Sequence, residues 1–340
     1  LTNAIVLKGK IEKKMNSLRE KLWPFKEFPK EELEKQYESQ KDIFARAGIL
    51  EKLSGGEMEM TGIDGKKYAF PKMEEIAKMM RENKEVLESK MKQGFKRLLI
   101  VPFGMPLERL AGVLEQRILK HKEQHALLAT KANPSDPDEE LELDANQPLF
   151  KWEGWINDNL PQGRRGADVL GTCFYHPQNF NQANHGGKTK AEMLKEQEGS
   201  AFAGWEVKLL EENINIPREG ANITAGEGEN ARKRLEANKT PEEYLRILQT
   251  DPQYKNEQGL TNEDWLSLFL VHLEETNQAI DDYGGKGSAC YLPGSFISSS
   301  RNLGYGFWFR DSRQASLSGV FPSSQSSDGG LRSAVGIKKI

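Results

Sequence analysis

Over the first 130 or so positions, apolar residues recur at three- and four-residue steps, the period of helices with one buried side. Residues 9–53 read as helices, interrupted where Pro24 and Pro29 fall. Leu33, Tyr37, Ile43 and Phe44 line one side of the later helix, and Ser54-Gly55-Gly56 stops it. Met60–Phe70 holds a hairpin signal around Asp64-Gly65. Pro71–Gln93 predicts one further helix, with Ile76, Met79, Met80, Val86, Leu87 and Met91 as an apolar stripe read as core. Arg97-Leu98-Leu99-Ile100-Val101 is short and continuously apolar, as a buried strand is, and Leu107–Leu128 returns to the helical period.

From Leu149 the pattern changes. Phe150, Trp152, Trp155, Phe174, Tyr175, Phe180, Phe202 and Trp205 supply bulky side chains for a core, between Gly/Asn/Gln-rich loops such as Asn179–Gly187. Ala203–Leu210 predicts a strand. Thr240-Pro-Glu-Glu243 and Thr261-Asn-Glu-Asp264 are capping boxes, each opening a helix, the second with Trp265, Leu268, Phe269 and Leu273 on its buried side. Residues 288–340 contain 13 Ser, 7 Gly and 7 aromatics and no Glu, Thr, Met or His. Short strands alternate there at Phe307-Trp308-Phe309-Arg310 and Ala315–Val320. Rigid rings among small polar residues make the palette of a binding surface. Two helices followed by a long irregular β segment make the fold class α+β.

Length refines this picture. A chain of 340 residues accommodates two domains, and the acidic, Pro-containing stretch Ala132–Pro148 is the linker between an α-rich N-terminal domain (1–131) and a second domain (149–340). The net charge of −3 conceals an asymmetry: 27 Lys+Arg against 20 Asp+Glu in 1–131, and 21 against 31 thereafter. In the first half the signs alternate along helices, the pattern of a solvated face, and no aromatic–basic motif accompanies them, so no nucleic-acid partner is expected. No apolar run has transmembrane length, and Ala4–Leu7 is too short for the core of a signal peptide. The location of the protein is left open.

Candidate chemistry is sparse. His121 and His125, four apart on a helix, read as a surface pair. Cys173-Phe-Tyr-His176 with His185 lacks a fourth ligand at metal-site spacing. Gly186-Gly-Lys-Thr189 resembles the end of a phosphate loop but has Gln182 where that motif needs glycine. Two cysteines, Cys173 and Cys290, make no disulfide framework. No catalytic residue, metal or cofactor is expected.

One set of segments carries a resemblance: Asn215-Ile-Pro-Arg-Glu, Thr240-Pro-Glu-Glu-Tyr-Leu, Asp251-Pro-Gln-Tyr, Leu260-Thr-Asn-Glu-Asp-Trp-Leu, Ser288-Ala-Cys-Tyr-Leu-Pro-Gly-Ser and Gly330-Leu-Arg-Ser-Ala-Val. Together they are similar to variable proteins of diversity-generating retroelements, especially those of archaea, their viruses and small-genome bacteria. The resemblance covers roughly residues 200–340 and does not reach 1–131. It implies a C-terminal C-type lectin-like domain of the formylglycine-generating-enzyme type, with a variable region at about 295–331 that binds a protein or cell-surface ligand. In such a family, error-prone reverse transcription at template adenines rewrites the 3′ end of the gene. The implied variable positions are Tyr305, Phe307, Phe309, Arg310, Asp311, Ser312, Gln314, Ser316, Ser318, Phe321, Ser323, Ser324, Gln325 and Ser326. Trp308, Ala315, Leu317, Gly319, Gly329, Gly330, Arg332, Ala334 and Val335 form the frame. The alternative is a formylglycine-generating or sulfatase-modifying enzyme on the same fold, whose chemistry asks for two close cysteines late in the domain.

Overall fold

The structure is a computed structural model that describes residues 23–52, 56–129, 139–155, 173–285 and 287–338. The helical stretch expected before Trp23, the Ser54-Gly55 stop and the first part of the expected linker lie outside the described residues.

Pro29 leads into α1 (Lys30–Arg46), which buries Leu33, Tyr37, Ile43 and Phe44 as the spacing predicts, together with Gln40. Strands β1 (Glu51–Lys52), β2 (Met58–Thr61) and β3 (Lys67–Ala69) form a small antiparallel sheet, with β2 and β3 joined through the expected turn at Asp64-Gly65. Gly65 has φ +77°, a backbone region that favours glycine.

The single helix expected over 71–93 is two helices, α2 (Met73–Glu82) and α3 (Lys84–Lys92). At their junction the Asn83 side-chain amide donates to the carbonyls of Met79, at 2.8 Å, and Lys338, at 2.9 Å. That local side-chain bond competes with the helical ladder and ends α2 there. The stripe itself is core, with Ile76, Met80, Leu87 and Met91 buried. Next come β4 (Phe95–Val101) and α4 (Leu107–Glu123), which stops short of 128 because the backbone turns left-handed at His125, φ +52°. His121 is not a surface residue. It is buried beside Glu274, which also takes Arg117, while His125 is exposed.

The rest of the chain runs β5 (Leu149–Lys151), β6 (Cys173–Tyr175), α5 (Lys190–Glu196), β7 (Glu206–Glu211), β8 (Thr224–Ala225), β9 (Arg232–Lys233), α6 (Pro241–Thr250), β10 (Gln258–Gly259), α7 (Asn262–Thr276), β11 (Ala289–Ile297), β12 (Asn302–Phe309), β13 (Gln314–Val320), β14 (Gly329–Leu331) and β15 (Ser333–Gly336). Both predicted capping boxes form. A third, Thr189 with Glu192, opens α5, so the Thr that ends the failed phosphate-loop pattern caps a helix.

Two larger sheets organise these elements. One has the order β10-β15-β7-β4, so β4 from the first half of the chain pairs with β7 from the second. The other has the order β14-β11-β12-β13-β5, with β6 on β11, and curls into a half-barrel. Helix α7 packs against β4, β11, β12 and α4. Enclosed on all sides, it buries every residue from Asn262 to Leu273 rather than one face. The fold is mixed α/β, and one apolar cluster runs from Trp23 to Ile337.

The free edge of β4 is closed by side chains. Gln36 accepts from the Leu98 N–H and donates to the Lys96 carbonyl, at 2.7 and 3.1 Å. Gln40 accepts from the Ile100 N–H and donates to the Leu98 carbonyl, at 2.9 and 2.8 Å. One step of four residues on a helix spans about 6 Å, close to two residues of a strand at roughly 6.6 Å, so two glutamines on α1 continue the ladder where no strand does.

Candidate binding face

Strands β12 and β13 pair antiparallel with Tyr305 opposite Ser318, Phe307 opposite Ser316 and Phe309 opposite Gln314. Alternation sends these residues to one side and Gly304, Gly306 and Trp308 to the other. The inner side has no spare room. A Cβ at Gly304 would lie 2.1 Å from Asn262 Oδ1, and one at Gly306 would lie 2.3 Å from the Trp265 indole. Two glycines on alternate positions let α7 press directly on the sheet. Gly319 on β13 does the same for Trp152, whose ring a Cβ would meet at 2.8 Å.

The outer side carries a row of half-buried rings. Tyr305 stacks on the buried Tyr291 with centroids 4.9 Å apart and meets Phe307 at 5.0 Å; Phe307 meets Phe309 at 6.0 Å. Tyr283 completes the row, 5.7 Å from Phe307 and stacked on Phe309 at 6.2 Å. Such offset and edge-on pairs hold ring orientation at little entropic cost. Burial raises the hydroxyl pKa of Tyr305 and Tyr283, and pushes Tyr291 up to about 12, so these phenols are neutral hydrogen-bonding groups at neutral pH. Arg218 adjoins this row. It pairs with Asp328 and donates to the Tyr283 carbonyl at 2.8 Å, and burial lowers its pKa.

The other expected site residues divide by position. Gln314 and Ser318 are half-buried beside the rings, whereas Ser316 is 3 % exposed and is not presented to solvent. Arg310, Asp311 and Ser312 form the turn at one end. The Arg310 guanidinium grips Asp282 at 2.6 and 2.8 Å and Glu139 at 2.6 and 3.0 Å, and these carboxylates raise its pKa. It is therefore a clamp joining the end of β12 to Asp282 and to Glu139 of the expected linker, while Asp311 is exposed. At the other end, residues 321–326 form a loop. Phe321 is 55 % exposed, Ser323 and Gln325 are exposed, and Ser324 and Ser326 are half-buried. Gln325 donates to the Asn238 carbonyl at 2.9 Å, the Glu242 N–H donates to the Pro322 carbonyl at 3.1 Å, and the Ser326 hydroxyl meets Tyr305. The loop is thus fastened both to α6 and to the ring row.

Tyr283, Tyr291 and Arg218 were not among the expected site residues. Only the pairing of Asp282 with Trp308 and of β11 with β12 brings the two tyrosines beside β12; the sole hint in sequence is that Tyr291 falls in the aromatic-rich 288–340 segment.

The thiols do not assemble. Cys173 pairs with Ile297 on β11, seven positions from Cys290, so they are roughly 20 Å apart along the strand. Both are buried, and burial pushes the Cys290 thiol up to about 12. Among the described residues no group of three His, Cys, Asp or Glu side chains could hold a metal ion. Among them, too, no helix is long and apolar enough to cross a membrane. The arrangement offers a semi-rigid aromatic surface edged by hydroxyls, amides and one buried-edge guanidinium, which suits recognition of another molecule's surface. No family model matches the chain, and no curated protein and no solved structure is significantly similar to it.

Proposed function

We propose that the protein binds a protein or cell-surface ligand through the outer side of β12 and β13 and the adjoining 321–326 loop, as a variable protein of a diversity-generating retroelement on a C-type lectin-like scaffold. The observation that carries this reading is the division of β12 itself. On its inner side Gly304 and Gly306 allow no added atom and Trp308 is fully buried, whereas Tyr305, Phe307 and Phe309 stand half-exposed on the other side. A strand so divided can change its outer residues without disturbing the helix behind it, which is what a diversified binding surface requires. Arg310 and Ser316 fit the variable set least well, since one clamps two carboxylates and the other is buried. The formylglycine-generating alternative gains nothing from the separated thiols.

The test is to sequence the 3′ end of the gene across many copies from one source population. Substitutions crowding at Tyr305, Phe307, Phe309, Gln314, Ser318, Phe321, Ser323 and Gln325, with Gly304, Gly306, Trp308, Gly319 and Arg332 fixed, are expected. Variation spread evenly over both sides of β12, or its absence from this region, overturns the proposal.

A further inference from the structure

A groove of about 880 Å³ opens where the four-stranded sheet ends, and none of its lining residues belongs to β12, β13 or the 321–326 loop. Met193, Phe202, Leu245 and Pro293 give it apolar walls. Its charged lining is balanced, with four glutamates and four lysines, and Lys78 pairs with Glu75, Lys188 with Glu196 and Lys208 with Glu206. Of the other two, Glu257 is fully covered and bound to Lys90, and Lys338 is exposed to solvent. Charge is therefore not what this lining selects by, and hydrogen-bonding groups and shape are left to do so.

The edge of the sheet supplies those groups. Strand β15 lies between β7 and β10, and successive residues turn their backbone groups to the two neighbours in alternation. The Ile337 N–H donates to the Val207 carbonyl of β7 at 2.8 Å, so Val335 and Ile337 face β7 while Ala334 and Gly336 face β10. Gln258 meets Ala334 there. Nothing meets Gly336, because β10 is only two residues long. The chain enters it from the 3₁₀ turn Pro252–Tyr254 and through a left-handed backbone at Asn256, φ +68°, instead of running along β15. Among the described residues neither the N–H nor the C=O of Gly336 has a hydrogen-bond partner, and Gly336 lines the groove.

A donor and an acceptor on one strand residue are matched by the C=O and N–H of one residue of an incoming antiparallel strand. We infer that this groove binds an extended, uncharged peptide segment of another polypeptide, which adds to β15 at Gly336 along the line that β10 leaves empty. Apolar side chains of the segment lie against Met193, Phe202 and Leu245. The site is independent of the display face.

The smallest probe is N-acetyl-leucine N′-methylamide, one residue with both its amides. An analogue methylated on the leucine nitrogen lacks the N–H that the Gly336 carbonyl would accept. Protein isotope-labelled at the glycine nitrogens is titrated with each, and the Gly336 amide signal is identified as the one missing from Gly336→Leu. That signal is expected to move downfield with the probe, and the methylated analogue is expected to bind at least about fivefold more weakly, as the loss of one hydrogen bond requires. A Cβ at Gly336 meets nothing nearer than Gln258 Nε2 at 4.0 Å, so Gly336→Leu fills the groove without displacing its walls. With unchanged circular dichroism it is expected to lose about tenfold or more in affinity for the probe. A Gly336 signal that stays fixed up to about 10 mM probe, equal binding of probe and analogue, or undiminished binding to folded Gly336→Leu overturns the inference. Should Gly336→Leu fail to fold, Gly336→Ala identifies the signal, and the shift and the probe comparison decide it alone.

Discussion

Substituting Gly306 by alanine tests the division of β12 most directly. The new methyl carbon would stand 2.3 Å from Cε2 of Trp265 and 2.5 Å from its Nε1. Carbon atoms pack at about 3.5–4.0 Å, so helix or strand must move by about 1 Å. The indole cannot turn aside cheaply. Its N–H donates to Asp281 Oδ2 at 2.9 Å, and the same carboxylate takes Arg332 at 2.7 and 3.2 Å, all of it buried. Over-packing a well-filled core costs about 1–3 kcal/mol, and the pinned ring places Gly306→Ala at about 3 kcal/mol. The neighbouring Phe307→Ser removes a far larger group from the outer side. Full burial of a phenylalanine is worth about 1.5–3 kcal/mol, so a half-buried ring is worth about 1 kcal/mol. Chemical denaturation followed by tryptophan fluorescence and circular dichroism measures both. If Gly306→Ala costs less than about 0.5 kcal/mol, or Phe307→Ser costs more than Gly306→Ala, the reasoning from a closed inner and a permissive outer side is wrong.

Other consequences follow from buried polar groups. Gln40→Leu strips partners from the Leu98 carbonyl and Ile100 N–H, both fully buried, and is expected to cost about 2–3 kcal/mol, whereas Gln36→Leu, at the half-buried end of the edge, costs less than about 1 kcal/mol; equal losses in denaturation would refute the edge-closing role. Burial, reinforced by Arg97 and Arg332, pushes His272 down to about 3. Between that value and about 6.5 the unfolded chain holds the extra proton, so stability falls as pH is lowered, by about 2 kcal/mol from pH 6.5 to 5. His272→Gln should flatten this slope in denaturation curves at the two pH values, and a wild-type protein equally stable at both would contradict it. Cys173 and Cys290 should react with a thiol reagent only when the chain unfolds, and rapid labelling of either in the native protein would place it wrongly.

The sequence by itself determined what rests on neighbours within a turn or two. The Thr240 and Thr261 caps, the buried side of α1, the Asp64-Gly65 turn, the apolar strand at β4 and the alternation of β12 and β13 are local patterns, since periodicity and capping involve residues only a few positions apart. The alternation puts Phe307 and Phe309 on one side of a strand, while a place in a binding surface was implied for them only by the family resemblance. Tertiary structure decided everything that depends on which distant segments meet. Nothing near Gly304 and Gly306 in sequence shows that α7 lies against them. Gln40 closes the edge of β4 only because α1 lies along it, and Asn83, inside the single helix expected over 71–93, ends α2 by reaching Lys338. Arg310 reads as an exposed anchor until Asp282 and Glu139, the latter 171 positions away, arrive to hold it. Likewise, Tyr283 joins the ring row and Glu206 meets His176 only through pairings that no window of sequence contains. A side chain's chemistry is fixed by its type, but its role is set by the charge, space and solvent that remote parts of the chain bring to it.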